Sequence, residues 1–113
     1  KKSSGITWTR LENLSLLGTP DLLGYNHYGH FFTVELKVTR GNKLKFSPHQ
    51  IAFHKTHSKN TFIIAEALGP RSPKLVHMFR GSRISELEAC GLKLEPLARG
   101  LEACSLHLLN IGA

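Results

Sequence analysis

Residues 32–39, Phe-Thr-Val-Glu-Leu-Lys-Val-Thr, alternate without a break: Phe32, Val34, Leu36 and Val38 are apolar, and Thr33, Glu35, Lys37 and Thr39 are polar. A period of two sustained over eight residues belongs to a β-strand with one buried face. It sets side-chain directions before any fold is known. Glu35 and Lys37 must point the same way, and Leu36 must bury its side chain on the opposite face.

The flanking segments extend this strand into an architecture. Residues 21–26, DLLGYN, read as a strand, and a turn at His27 to His30, with Gly29 allowing the reversal, makes a hairpin with the alternating run. RGNKLK follows as a cationic loop. Ser47 as N-cap and Pro48 at the first helical position then open a helix through SPHQIAFHKTHSK. TFIIAEAL reads as a strand buried on both faces, and KLVHMFR as another after the GPRSP turn. Residues 83–90 read as a helix capped by Ser82, and the stretch beyond Glu95 as helical with a break near Gly100. At the other end, ITWTRLENLSLL reads as a short helix from the spacing of Trp8, Leu11 and Leu14 or Ser15, stopped by Gly18, Thr19 and Pro20. The expected fold is α/β: a small mixed sheet of three or four strands flanked by helices, within one domain spanning residues 1–113.

On that scaffold the only aspartate of the chain, Asp21, stands at the start of one hairpin strand and Glu35 in the middle of the next. The hairpin brings them together although they are fourteen residues apart in sequence. Two carboxylates at one point repel and raise each other's pKa, a conflict that a bound cation resolves. Oxygen donors of this kind suit Mg²⁺ or Mn²⁺. Lys37 places an ammonium beside the pair, where it can hold a water or an oxyanion. The carbonyl oxygen of Leu36 is free to face the metal.

Pro20-Asp21 followed by Glu35-Leu36-Lys37 resembles the signature of the PD-(D/E)XK nuclease superfamily. Within it the chain looks most like the virus-type replication and repair nucleases and the phage junction resolvases. Their order of a helix glutamate, a G-x-PD turn, an ExK strand and an S-P-x-Q helix is matched by Glu12, Gly18, Glu35 and Ser47-Pro48-His49-Gln50. The resemblance covers roughly residues 8–66. It implies a restriction-endonuclease-like core and a Mg²⁺- or Mn²⁺-dependent DNA endonuclease leaving a 5′-phosphate and a 3′-hydroxyl. It also implies roles: Glu12, Asp21, Glu35 and the Leu36 carbonyl for the metal, Lys37 for the nucleophilic water, and Gln50 to position the site. A structure-selective, junction-resolving enzyme leads over a sequence-specific homing or restriction type, whose reading loops 113 residues scarcely accommodate. A non-catalytic nucleic-acid-binding module on the same fold is the other alternative.

The formal net charge of +7 is uneven: residues 1–83 carry 13 Lys and Arg against 4 acids, and residues 84–113 carry 2 against 4. Such a field attracts polyanions, which makes branched or duplex DNA the expected partner. Arg40, Lys43 and Lys45 in the loop, with Lys55 and Lys59 around the end of the helix, are the candidate phosphate contacts. Gln50, His54 and His57 share a helix face, and hydrogen bonding or phosphate contact is the expected use of the histidines; finger-type zinc spacing is absent. Cys90 and Cys104 form no CxxC motif and read as buried thiols of a reducing compartment. No apolar run is long enough to span a bilayer, so the expectation is an intracellular, cytoplasmic protein, including a phage protein acting in its host cell. The apolar tail, with Leu101, Leu106, Leu108, Leu109 and Ile111, suits the interface of a homodimer.

Overall fold

The hydrophobic alternation is spent on a six-stranded sheet in the computed structural model, which describes residues 5–11, 18–68 and 75–113. Strands β1 (Ile6–Arg10), β2 (Leu22–Asn26), β3 (Phe31–Thr39), β4 (Thr61–Ala67), β5 (Leu75–Arg80) and β6 (Ala98–Arg99) lie side by side in chain order. Every neighbouring pair is antiparallel except β3 and β4. That parallel pair needs a crossover, which helix α1 (Pro48–Thr56) supplies. Helices α2 (Ile84–Cys90) and α3 (Leu101–Leu109) follow β5 and β6.

Two apolar layers sandwich the sheet. On one face Phe32, Val34, Phe62 and Met78 pack against Cys104 and Leu108 of α3. On the other, Ile63, Ala65 and Phe79 pack beneath Leu44, Phe46, Ile51, Ile84 and Leu87, which come from the β3–α1 loop, α1 and α2. The odd residues of β3 therefore face α1 and the even ones face α3.

Several elements differ from the sequence reading. Residues 6–10 form a strand where a helix was expected: Ile6 and Trp8 alternate with exposed Thr7 and Thr9, and Trp8 meets the Phe32 ring edge-on at 5.5 Å. Three β-branched residues in five favour the pleated surface, and pairing with β2 decides the outcome. Residues 12–17 of that expected helix, with Glu12, lie outside the described residues. The Ser82 cap is not formed, because a 3-10 turn at Gly81–Arg83 leads into α2 and makes Arg83 the N-cap, without a side-chain cap bond. The segment before Gly100 adds β6 instead of helix, and Cys90 is exposed while Cys104 is buried.

Leu36 and Val38, expected in the core, are 46% and 60% exposed. Nine helical residues reach only about 13 Å, whereas the nine-residue β3 runs for about 30 Å. Helix α3 therefore covers Phe32 and Val34 and leaves the C-terminal half of β3 open. The result is a groove of about 260 Å³ whose lining includes Trp8, Leu36, Val38 and Leu101.

His54 anchors α1 to the sheet and is fully buried, so it makes no phosphate contact. It sits where a Cβ on residue 81 would collide with its Nδ1 and with the Thr61 hydroxyl, and neither ring nitrogen has a hydrogen-bond partner among the described residues. Burial first, then the nearby His57, pushes its pKa down to about 4. A histidine depressed below its unfolded value of 6.5 contributes stability that is complete above 6.5 and is lost as pH falls toward 4. Between pH 7 and 5 the loss amounts to about 2 kcal/mol. Urea unfolding at those two pH values should show His54→Leu without this acid-side loss; a variant with the wild-type dependence would contradict it.

Candidate active site

Asp21 directly precedes β2, and the register that sets Leu22 opposite Val34 puts position 21 opposite Glu35. What holds the Asp21 loop there is local. Gly18 has φ +81°, and a Cβ on it would strike the His49 carbonyl in the first turn of α1, so only glycine lets this loop lie against the helix. The Leu11 N–H donates to the Asp21 carbonyl at 2.8 Å. The Asp21 side chain accepts, through Oδ2, the Leu36 N–H at 2.7 Å.

That last bond also orients the Leu36 carbonyl. Thr33 donates to Asn60, and the Thr39 carbonyl accepts from Leu68, so the peptide groups of the odd β3 residues turn toward β4. Those of the even residues turn toward β2. Because β2 begins opposite Val34, the Leu36 peptide groups extend past its start, on the side where Asp21 lies.

Glu35 is only 3% exposed. Its Oε2 accepts a hydrogen bond from Gln50 Nε2 at 2.9 Å, while its Oε1 is buried with no hydrogen-bond partner among the described residues. The Gln50 amide has one possible orientation. Its Oε1 accepts from the Ser47 backbone N–H at 2.9 Å and from Lys37 Nζ at 3.2 Å, so its NH₂ must face the carboxylate. Ser47 Oγ accepts the Gln50 N–H in return, which completes a capping box. The helix start foreseen from Ser47 and Pro48 is thus also the device that aims Gln50. Lys37 Nζ lies 5.0 Å from the centre of the Phe46 ring, a cation–π contact on its other side.

Burial pushes the Glu35 carboxyl up from 4.5 to about 7, with Asp21 adding to the rise and Lys37 opposing it. Desolvation disfavours the carboxylate, and the Lys37 ammonium does not compensate.

The structure therefore brings together Asp21, Glu35, Lys37, Gln50 and the Leu36 backbone, while Glu12 lies outside the described residues. Arg40, Lys43, Lys45, Lys55 and Lys59 are all exposed and stay outside the cluster. Arg40, Lys43 and Lys45 follow the C-terminal end of β3, where the loop alternates outward Lys43 and Lys45 with buried Leu44 and Phe46. Lys55 and Lys59 flank the C-terminal end of α1. Phe46 is the site residue that the sequence reading missed; its only signal was an aromatic within a cationic loop.

A divalent cation fits this donor set. The partnerless Glu35 Oε1, the Asp21 carboxylate and the Leu36 carbonyl are hard oxygen donors, and Mg²⁺ takes one or two carboxylates and fills its other positions with water and phosphate. No group of three or more His, Cys, Asp and Glu converges among the described residues, so the described side-chain oxygen donors here are this pair. Comparison with protein-family models, curated proteins and solved structures gave no match. Among the described residues no helix is long and apolar enough to cross a membrane.

Proposed function

We propose that the protein is a divalent-metal-dependent, structure-selective DNA endonuclease of the PD-(D/E)XK type. The observation that carries this reading is the convergence of Asp21 and the buried, half-satisfied Glu35 with the Lys37–Gln50 hydrogen-bond chain. Asp21, Glu35 and the Leu36 carbonyl would hold Mg²⁺ or Mn²⁺. Bound there, the metal supplies charge neutralisation at the phosphate and lowers the pKa of water. Lys37 holds a proton donor beside the carboxylates, and Gln50 keeps that ammonium and Glu35 in fixed relation. The Phe46 ring shields the ammonium from water on one side. Incubation with junction, duplex and single-stranded DNA in Mg²⁺, Mn²⁺ or EDTA tests the reading: cleavage should require the metal. Binding without cleavage of any form would leave the non-catalytic module in its place.

Arg40, Lys43, Lys45, Lys55 and Lys59 serve as phosphate contacts in this reading. DNA affinity should fall steeply with salt, and Arg40→Ala or Lys45→Ala should each lower the log–log slope by about one. Titrations over a salt series measure this, and slopes equal to wild type would remove these residues from the interface.

The assembly proposed with this function is a homodimer. Helix α3 seats Cys104 and Leu108 in the core and leaves Leu101 and Leu106 about half exposed. A twofold pair of sites suits a four-way junction cut symmetrically. Sedimentation with Leu101→Glu and Leu106→Glu variants checks it: the wild type should run as a dimer and the variants as monomers.

A further inference from the structure

The face of the sheet that bears the carboxylates continues beyond them. Walking back along β3 from Glu35, Thr33 and Phe31 share its face, and the antiparallel register places Leu23 and Tyr25 of β2 beside them. Helices α1 and α2 pack over β4 and β5 on this side, and this end of the β2–β3 hairpin is open. Phe31 is 57% exposed and Tyr25 41% exposed. Their rings lie 4.5 Å apart at 51°, which makes one continuous aromatic surface.

Exposed basic residues stand on the segments next to this surface. Asn60 Nδ2 donates to the Phe31 carbonyl at 3.2 Å, which ties the segment that carries the exposed Lys59 to the start of β3. Lys55 is exposed in the last turn of α1, and the exposed His57 stacks on Phe53 at 4.2 Å. An open aromatic pair with basic residues on the neighbouring segments, in a chain of net charge +7, matches a strand that carries phosphates outside and bare π-faces inside. A closed duplex offers no such π-faces, since its bases are stacked on one another.

We propose that Tyr25 and Phe31 form a stacking platform for unpaired DNA bases on the same face as Asp21 and Glu35. Phe31 and Glu35 are four steps apart along the strand, about 13 Å. That corresponds to about four nucleotides of a stacked strand, and fewer of an extended one. Resting on the nuclease reading, the platform narrows the substrate class: branched DNA with unpaired bases next to the bond that is cut.

Fluorescence anisotropy in EDTA, with labelled oligo(dT) and an abasic strand of the same length, tests the platform without catalysis. The wild type should bind oligo(dT) about tenfold or more tightly than the abasic strand. Tyr25→Leu and Phe31→Leu keep apolar bulk but lose the π-face, and each should erase most of that preference while leaving abasic binding unchanged. Tyr25→Phe should keep it. Equal wild-type affinity for the two strands, or Leu variants that retain the preference, would overturn the proposal. Should the Leu variants melt, Phe31→Trp must bind oligo(dT) at least as tightly as wild type, and a loss there overturns it too. The nuclease reading fails separately: a stacking preference with no cleavage on adding Mg²⁺ removes catalysis and keeps the platform, and cleavage with no preference does the reverse.

Discussion

Glu35→Gln is expected to cut DNA more than ~100-fold more slowly than wild type, beyond the loss typical of outer-shell changes to a metal site, while binding DNA as tightly. The substitution keeps shape and removes the charge. A glutamine at position 35 still accepts from Gln50 Nε2, so the capping box and the Lys37 contact persist. What disappears is the anionic donor that a divalent cation requires. Asp21→Asn should behave alike, because its Oδ2 contact to the Leu36 N–H survives as an amide oxygen. Lys37→Ala should lose rate without losing metal affinity, since the lysine is not a ligand. Gln50→Ala should cost ~10- to 100-fold by releasing both partners. Single-turnover cleavage at saturating enzyme separates these rates from binding, and wild-type cleavage by Glu35→Gln would sink the assignment.

The same variant should be the more stable protein at alkaline pH when divalent ions are absent. A carboxyl held at about 7 in the fold against an ordinary 4.5 keeps its proton longer folded than unfolded. Its stabilising contribution is therefore complete below pH 4.5 and is lost as pH rises through 7. By pH 8 the buried charge costs roughly 3 kcal/mol, and Glu35→Gln removes that cost. For a domain of this size the melting temperature should rise by about 10 °C. Mg²⁺ should raise the wild-type melting temperature at pH 8 and leave the variant unchanged, because only the wild type gains by binding. A variant no more stable than wild type in EDTA at pH 8 would show that Glu35 is not strained. The window overlaps that of His54, whose contribution changes in the opposite sense, so wild-type stability should vary little between pH 5 and 7. Either single substitution unmasks the other slope.

Much of the site could be read from spacing alone. The alternation in β3 set Glu35 and Lys37 on one face, the hairpin turn brought Asp21 across from Glu35, and Ser47-Pro48 started the helix that carries Gln50. These are local regularities, in which a period, a turn residue or a cap has one geometric outcome. The errors fall where a segment's partner lies far away in sequence. β1 depends on β2 for its hydrogen bonds, and β6 on β5. Leu36 and Val38 are apolar in the right period, yet their exposure depends on how far α3 reaches.

What the amino-acid order determined by itself was direction: which side chains share a face, where the chain reverses, and that the lone Asp meets Glu35 and Lys37. Tertiary structure alone decided environment. Burial of Glu35 under α1, the lack of a partner for its Oε1 among the described residues, and the contacts of the Gln50 amide to Lys37 and Glu35 arise when segments separated by 13 or more residues pack together, and the aromatic face beyond Thr33 is exposed because the helices pack over β4 and β5. Side-chain direction follows from backbone period, a property of neighbours along the chain. Solvation, and with it the Glu35 carboxyl near 7 and the His54 imidazole near 4, follows from what the rest of the chain places around a group, which no local pattern encodes.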